Sequence, residues 1–225
     1  MQPIADAVIP AAGVGRRMGG AVPKQYLKLG GIPVLERTAR IFLKCPKVRK
    51  VIIPISRDDG FFASLPIASD PRVEACEGGS ERFESVIAGL ARCKAPFVLV
   101  HDAARPLLSD QDLERVLDAG TKDDDGAILA QRMADTVKLE KDGRCLRTVP
   151  RKALWRALTP QVFRTELLLK ALEEARARGL EITDDASAME AAGYRPRLVE
   201  ASSPDFKITL RQDLALAEAL VGGRT

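Results

Sequence analysis

The segment IPAAGVGRRMGGAVPKQYLKLGG, residues 9–31, places Arg16, Arg17 and Lys24 among glycines and alanines directly after an apolar run. Backbone N–H groups in such a small-residue loop can approach phosphates or the edge of a base. The generic nucleotide motifs do not fit. A dinucleotide fingerprint needs glycine where Met18 stands, and a P-loop needs Gly-Lys-Ser/Thr, whereas Lys24 follows proline and precedes glutamine. Anion binding by charge remains. At ~4 Å and an effective dielectric near ~20, one cation is worth about 4 kcal/mol against one phosphate charge before desolvation, so three can hold and polarise a triphosphate.

A second candidate group follows the apolar run FVLV at 97–100, where HDAARP brings His101, Asp102 and Arg105 to the end of an expected strand. Open α/β sheets present their functional groups there. Other chemistries are excluded by what the chain lacks. Cys45, Cys76, Cys93 and Cys145 are dispersed with no CxxC, and His101 is the only histidine, so no Cys/His zinc spacing exists. With 35 basic and 31 acidic residues the net charge of +4 is too small and too interspersed for a nucleic-acid surface. No basic n-region with a long apolar stretch opens the chain, and no apolar run approaches the ~20 residues of a membrane helix. A soluble, unexported, reduced cytoplasmic protein with no membrane or nucleic-acid partner is expected.

These residues need a scaffold. The 225 residues, 46% hydrophobic and 29% charged, lie well outside the composition of disordered chains and can bury a sizeable core. Short runs rich in β-branched residues at 5–9, 51–55, 72–76, 97–100, 127–130 and 197–200 read as strands. Between them, Phe83, Val86, Ile87 and Leu90 form one helical stripe, and Leu113, Val116 and Leu117 form another with Gly120 as its stop. Residues 165–179 and 211–220 add two more helices. The βα alternation predicts a Rossmann-like, mostly parallel sheet with helices on both faces, in a single domain over residues 1–225. Residues 134–150 break the alternation: two strand-like runs flank Lys141, Asp142 and Gly143, a turn whose Asp-Gly supplies the positive φ of a tight hairpin. Two-stranded ribbons are marginal alone, so this arm is expected to pack on another subunit.

The loop motifs PAAGVGRRM and PKQY resemble the signature of the 2-C-methyl-D-erythritol 4-phosphate cytidylyltransferases of the non-mevalonate isoprenoid pathway. GGSERFESV (78–86), VHDAARP (100–106), ADTVK (134–138), RKALWRALTPQVF (151–163), ITDDASAME (182–190) and FKIT before DLALAEAL (206–220) continue the resemblance in the family's order along essentially the whole chain. It implies a nucleotidyltransferase-type fold and a magnesium-dependent reaction. In that reaction the substrate's phosphate attacks the α-phosphorus of CTP and releases pyrophosphate. The nucleophile is already an anion, so positioning and charge neutralisation carry catalysis and no His/Ser/Asp or Cys/His set is required. His101 is accordingly read as structural.

The resemblance also implies roles. Arg17 and Lys24 stabilise the transition state, while Arg151 and Lys207 position the sugar-alcohol phosphate for attack. Ala11, Ala12, Gly13, Gly79 and Ser85 cradle cytidine, and Asp102 contacts ribose or magnesium. Thr136, Thr159 and Thr183 offer hydroxyls to the acceptor, although Thr183 also reads as a plain N-cap, just as Ser80 reads as the cap of the preceding helix. Two positions depart from the family: Ser80 stands where many members have Asp, and Asp205-Phe206 where Asn-Ile is usual. Asp205 is expected to join Asp102 as a second magnesium carboxylate. Family dimers lay the arm across the neighbouring subunit, which implies a homodimer with composite sites. Ribitol 5-phosphate cytidylyltransferases share the nucleotide loop and are the nearest alternative, and a non-catalytic nucleotide-binding protein is the alternative of another class.

Overall fold

A computed structural model of the chain describes residues 2–13 and 22–223. The elements run β1 (Ala5–Val8), β2 (Lys28–Leu29), β3 (Ile32–Pro33), α1 (Val34–Lys44), β4 (Val48–Ile55), β5 (Val73–Glu77), α2 (Arg82–Leu90), β6 (Phe97–Val100), α3 (Asp110–Lys122), β7 (Ala127–Arg132), β8 (Val137–Lys141), β9 (Arg144–Val149), β10 (Trp155–Arg164), α4 (Thr165–Ala177), α5 (Asp185–Ala191), β11 (Arg197–Glu200) and α6 (Arg211–Gly222). Seven strands form one sheet in the order β11-β7-β10-β6-β1-β4-β5. The pairs β1–β4, β1–β6, β4–β5 and β7–β11 are parallel, and β10 alone runs antiparallel, to both β6 and β7.

The alternation of side chains along a strand makes two cores. Ala5 and Ala7 of β1 pack with Leu35 and Phe42 of α1 and Leu113 and Leu117 of α3. Val8 points the other way, to Val86 and Leu90 of α2 and Leu168 and Leu172 of α4. Helices therefore cover both faces, as the βα pattern predicts. Each fully buried Leu or Phe here contributes about 1.5–3 kcal/mol of transfer free energy. A third cluster closes one end of the sheet, where Ile208 is buried against Leu29, Ala104 and Leu107 beneath α6. Glu218 of α6 accepts the Gly30 N–H at 3.0 Å, which anchors α6 over the β2–β3 turn.

Three departures from the sequence reading have physical causes. Trp155–Arg164 is a central strand, although Pro160 in its middle argues against one. The ladder breaks register between Ala157 and Gln161, so proline sits where no ladder bond is required. Helix α1 was not among the expected helices, yet its stripe of Leu35, Ala39 and Phe42 is buried. Gly120 does not stop α3, which continues to Lys122. A Cβ at Gly120 would stand 2.6 Å from Val162 Cβ, so glycine is there to let the helix approach β10.

The hairpin is present as expected. Strands β8 and β9 form a ribbon separate from the main sheet, with Asp142 at φ 52° and Gly143 at φ 76° in the turn. Nearly every residue of the ribbon is exposed, including Leu139 and Leu146.

Candidate active site

The chain leaves β1 through Pro10–Gly13 and leaves β6 through His101–Ala104, so both segments emerge at the carboxyl edge of adjacent parallel strands. A cavity of about 160 Å³ opens there. It is lined by Ala11, Ala12, Gly13, Lys24, Gly79, Ser85, Asp102 and Lys207, so eight of the residues singled out in the sequence meet in one place. A second cavity of about 280 Å³ adjoins it, lined among others by Asp102, Thr159, Thr183 and Lys207. Arg82, Asp102 and Lys207 line both cavities and form their common wall.

Small side chains are needed on the first wall for packing reasons. A Cβ on Gly78 would lie 2.8 Å from both Ala12 Cβ and Ser85 Oγ, and one on Gly79 would lie 2.3 Å from Glu84 Cβ. Ser85 Oγ accepts the Gly79 N–H at 3.1 Å, tying the glycine pair to α2. The helix begins one residue later than the sequence suggests: Glu81 is the N-cap, its N–H donating to Glu84 Oε2 at 3.0 Å, while the Ser80 hydroxyl donates to the same oxygen at 2.8 Å. Gln25, overlooked in the sequence, is buried and donates from Nε2 to the carbonyls of Ala11 at 2.7 Å and Gly13 at 3.1 Å. It clasps the two ends of the basic loop. Lys24, in the short 3₁₀ turn beside it, donates to the Ile208 carbonyl at 3.4 Å. Arg16 and Arg17 lie outside the described residues.

Asp102 is the electrostatic centre. Oδ1 accepts from Arg82 Nε at 3.0 Å, and Oδ2 accepts from Arg105 Nε at 3.2 Å and Lys207 Nζ at 3.0 Å. Burial alone would favour the neutral acid, but Arg82, Lys207 and Arg105 overcome it and hold the carboxyl far below the usual carboxylate range. Arg82 also forks onto Asp185, with Nη1 to Oδ1 at 3.2 Å and Nη2 to Oδ2 at 2.8 Å. The sequence signal for Arg82 was its place at the first turn of a helix, where a cation opposes the helix dipole.

His101 is fully buried and structural, as expected. The Arg105 carbonyl can only accept, so Nε2 donates to it at 3.0 Å and Nδ1 receives the Thr159 hydroxyl at 2.9 Å. Thr159 Oγ1 in turn accepts the Asp102 N–H at 3.2 Å. The Thr159 proton is thus committed to His101, which leaves that threonine only an acceptor for any ligand. Thr183 borders the second cavity but is not a cap, because Asp184 is the N-cap of α5 and accepts the Ser187 N–H at 2.9 Å.

Three expected site residues are not brought to this wall. Thr136 and Arg151 stand at the base of the exposed ribbon and line neither cavity, and the Arg151 guanidinium donates to the Ala134 carbonyl. Asp205 also lines neither cavity. It is 3% exposed, both carboxylate oxygens lack a hydrogen-bond partner, and burial pushes its carboxyl well above the usual range. Among the described residues no three acidic, histidine or cysteine side chains gather as a metal cluster. Of the two carboxylates expected to hold magnesium, Asp102 alone faces the cleft.

Comparison with known proteins agrees with this geometry. A family model described as "IspD: 2-C-methyl-D-erythritol 4-phosphate cytidylyltransferase" matches residues 5–223. The enzyme of that name from Photobacterium profundum is 47% identical over 218 residues, spanning 94% of this chain and 93% of the relative. Its counterpart from Escherichia coli O1:K1 is 48% identical over 215 residues, spanning 94% and 91%. The crystal structure of 2-C-methyl-D-erythritol 4-phosphate cytidylyltransferase from Thermus thermophilus superposes with a TM-score of 0.84 at 36% identity, covering 99% of this chain and all of that one. Sequence and fold are thus shared, along nearly the full length, with proteins of one kind, and this chain belongs to the 2-C-methyl-D-erythritol 4-phosphate cytidylyltransferase family.

Proposed function

We propose that the chain transfers the cytidylyl group of CTP to the phosphate of 2-C-methyl-D-erythritol 4-phosphate. An oxygen of the acceptor phosphate attacks the α-phosphorus, a new P–O–P linkage forms, and the bond from the α-phosphorus to the bridging oxygen of the β-phosphate breaks. Pyrophosphate carries away the electron pair. The products are 4-diphosphocytidyl-2-C-methyl-D-erythritol and pyrophosphate. The observation that carries this reading is the wall of Arg82, Asp102 and Lys207 shared by two adjoining cavities, one for each reactant.

Each part of the first cavity suits part of CTP. The wall of Ala11, Ala12, Gly13, Gly79 and Ser85 fits a pyrimidine read by backbone groups, and Lys24 neutralises charge on the triphosphate as it redistributes. Arg17, outside the described residues, is assigned the same role from its place in the sequence. Lys207 stands between the cavities and orients the acceptor phosphate, with Thr183 and the Thr159 oxygen beside its hydroxyls. Magnesium, when bound, neutralises phosphate charge. Asp102, which lines the cavity, would help to hold it, whereas the buried Asp205 lines neither cavity and is poorly placed to share it.

Arg151 and Thr136 complete the acceptor site from a second copy in this reading. Neither residue lines a cavity of its own chain, and Leu139 and Leu146 of the ribbon are exposed, which supports a homodimer with exchanged arms; the enzyme would work in the cytoplasm. Among the described residues no helix is long and apolar enough to cross a membrane.

Magnesium-dependent pyrophosphate release tests the whole assignment, with 2-C-methyl-D-erythritol 4-phosphate and ribitol 5-phosphate offered in parallel and ATP, GTP and UTP as nucleotide controls. Release is expected with CTP and the first acceptor. Release with the ribitol phosphate alone would transfer the chain to the alternative acceptor class, and CTP binding without release would make it a binding protein.

A further inference from the structure

We propose that Arg82 is a positioning residue for this reaction, coupling the nucleotide cavity to the acceptor cavity by holding the Asp102–Lys207 pair in register. The proposal rests on the functional reading above and adds a residue whose three guanidinium nitrogens all bond to carboxylates of the chain. Every nitrogen of the guanidinium is spent on two carboxylates: Nε on Asp102, and Nη1 and Nη2 as a fork on Asp185. Asp185 is fully buried, so the fork has a fixed base in the core. Asp102 is the arm of that lever, and its other oxygen carries Lys207 at 3.0 Å and Arg105 at 3.2 Å. Arg105 is itself tied to the loop that bears Lys207, donating from Nη1 to the Asp205 carbonyl at 2.8 Å.

The placement of Arg82 is costly by local rules, which is why it is informative. It occupies the first position of α2, where the helix dipole disfavours a cation. It brings together α2, the segment after β6, and α5 through one guanidinium. Residues that break a local rule and are fully paired mark a functional requirement more often than an error. A lysine could supply the charge but not the planar fork, so the geometry rather than the charge is what Arg82 contributes.

The test is a double-mutant cycle on the full-length protein. Arg82→Lys is expected to lower kcat/KM for the acceptor by tenfold or more while the dissociation constant for CTP changes less than threefold. In a Lys207→Ala background the same substitution is expected to cost less than threefold, because the group it positions is gone. Losses that multiply in the double variant would overturn the proposal, as would a CTP affinity that falls in step with the acceptor term. A role in folding alone would lower the melting temperature without this coupling. If Arg82→Lys does not fold, Asp185→Asn, which loosens the fork and keeps Arg82, takes its place in the cycle with the same expected outcomes. Failure of the unsubstituted protein to release pyrophosphate would instead defeat the functional reading itself.

Discussion

The sole histidine makes acid stability a direct readout of the site's scaffold. His101 is fully buried, tilted against Phe42 at a ring separation of 5.1 Å, and neutral by construction: Nε2 donates to a carbonyl and Nδ1 accepts from Thr159. Protonation would turn Nδ1 into a donor facing an oxygen whose proton must then rotate away. Burial is the cause and outweighs the Arg105 carbonyl and the Asp102 charge, which favour the protonated ring, so the imidazole is pushed from the ordinary 6.5 down to about 4. The sign follows. Above pH 6.5 both folded and unfolded chains carry neutral imidazole and the contribution is complete. As pH falls toward 4 the unfolded chain binds a proton that the folded chain refuses, so stability is lost. At about 1.4 kcal/mol per pH unit, the interval amounts to on the order of 3 kcal/mol, a large share of a domain's 5–15 kcal/mol. Urea unfolding followed by the fluorescence of the single Trp155 at several pH values between 7 and 4 measures it, with His101→Gln as the reference that cannot titrate. The two proteins are expected to diverge in slope, whatever the offset between them, because carboxylates shared by both cancel in the comparison. Proton NMR gives an independent check, since the chain has one imidazole resonance to follow. Parallel slopes, or a titration midpoint near 6.5, would refute the reasoning.

Asp205 titrates with the opposite sign: burial without a hydrogen-bond partner raises its carboxyl, so its contribution is complete below about pH 4 and is lost as pH rises. Asp205→Asn is therefore expected to stabilise the protein by at least about 1 kcal/mol at pH 8 and by much less at pH 4. Its magnesium requirement should stay unchanged, and a shifted magnesium dependence would instead make Asp205 a metal ligand. Gly120→Ala ordinarily improves a helix by about 1 kcal/mol, but here the new Cβ would stand 2.6 Å from Val162 Cβ and 3.0 Å from the Val162 carbonyl oxygen. Overpacking of about 1–3 kcal/mol should win, and a raised melting temperature in this variant would contradict the packing account. Lys24→Ala is expected to slow turnover by a factor on the order of 10² or more, and single-turnover chemistry at the original rate would remove Lys24 from the transition state.

Most of the wall of the first cavity was legible in the chain because it is local. The small residues at 11–13, the lysine at 24 and the glycines before α2 are short-range patterns whose conformations are set within a few residues, and the β-branched runs announce the strands that carry them. The turn at Asp142-Gly143 was legible for the same reason. Strand β10 was not, because Pro160 obscures a strand whose pairing partners lie as far away as Phe97 opposite Arg164, and only the register break between Ala157 and Gln161 shows how it is accommodated.

Sequence by itself determined the class of fold, the basic loop and the residue types available for phosphate chemistry. Tertiary structure decided which of them act on one another. Asp102, Arg82, Asp185 and Lys207 are separated by tens of residues, and their assignment to one ion network depends on distances of about 3 Å that no local pattern encodes. It also decided that Thr159 serves His101 and that Asp205 is sealed away from the cleft. Propensity and periodicity arise from neighbours along the chain, whereas charge compensation and desolvation arise from neighbours in space, and the second kind exists only once the sheet has closed.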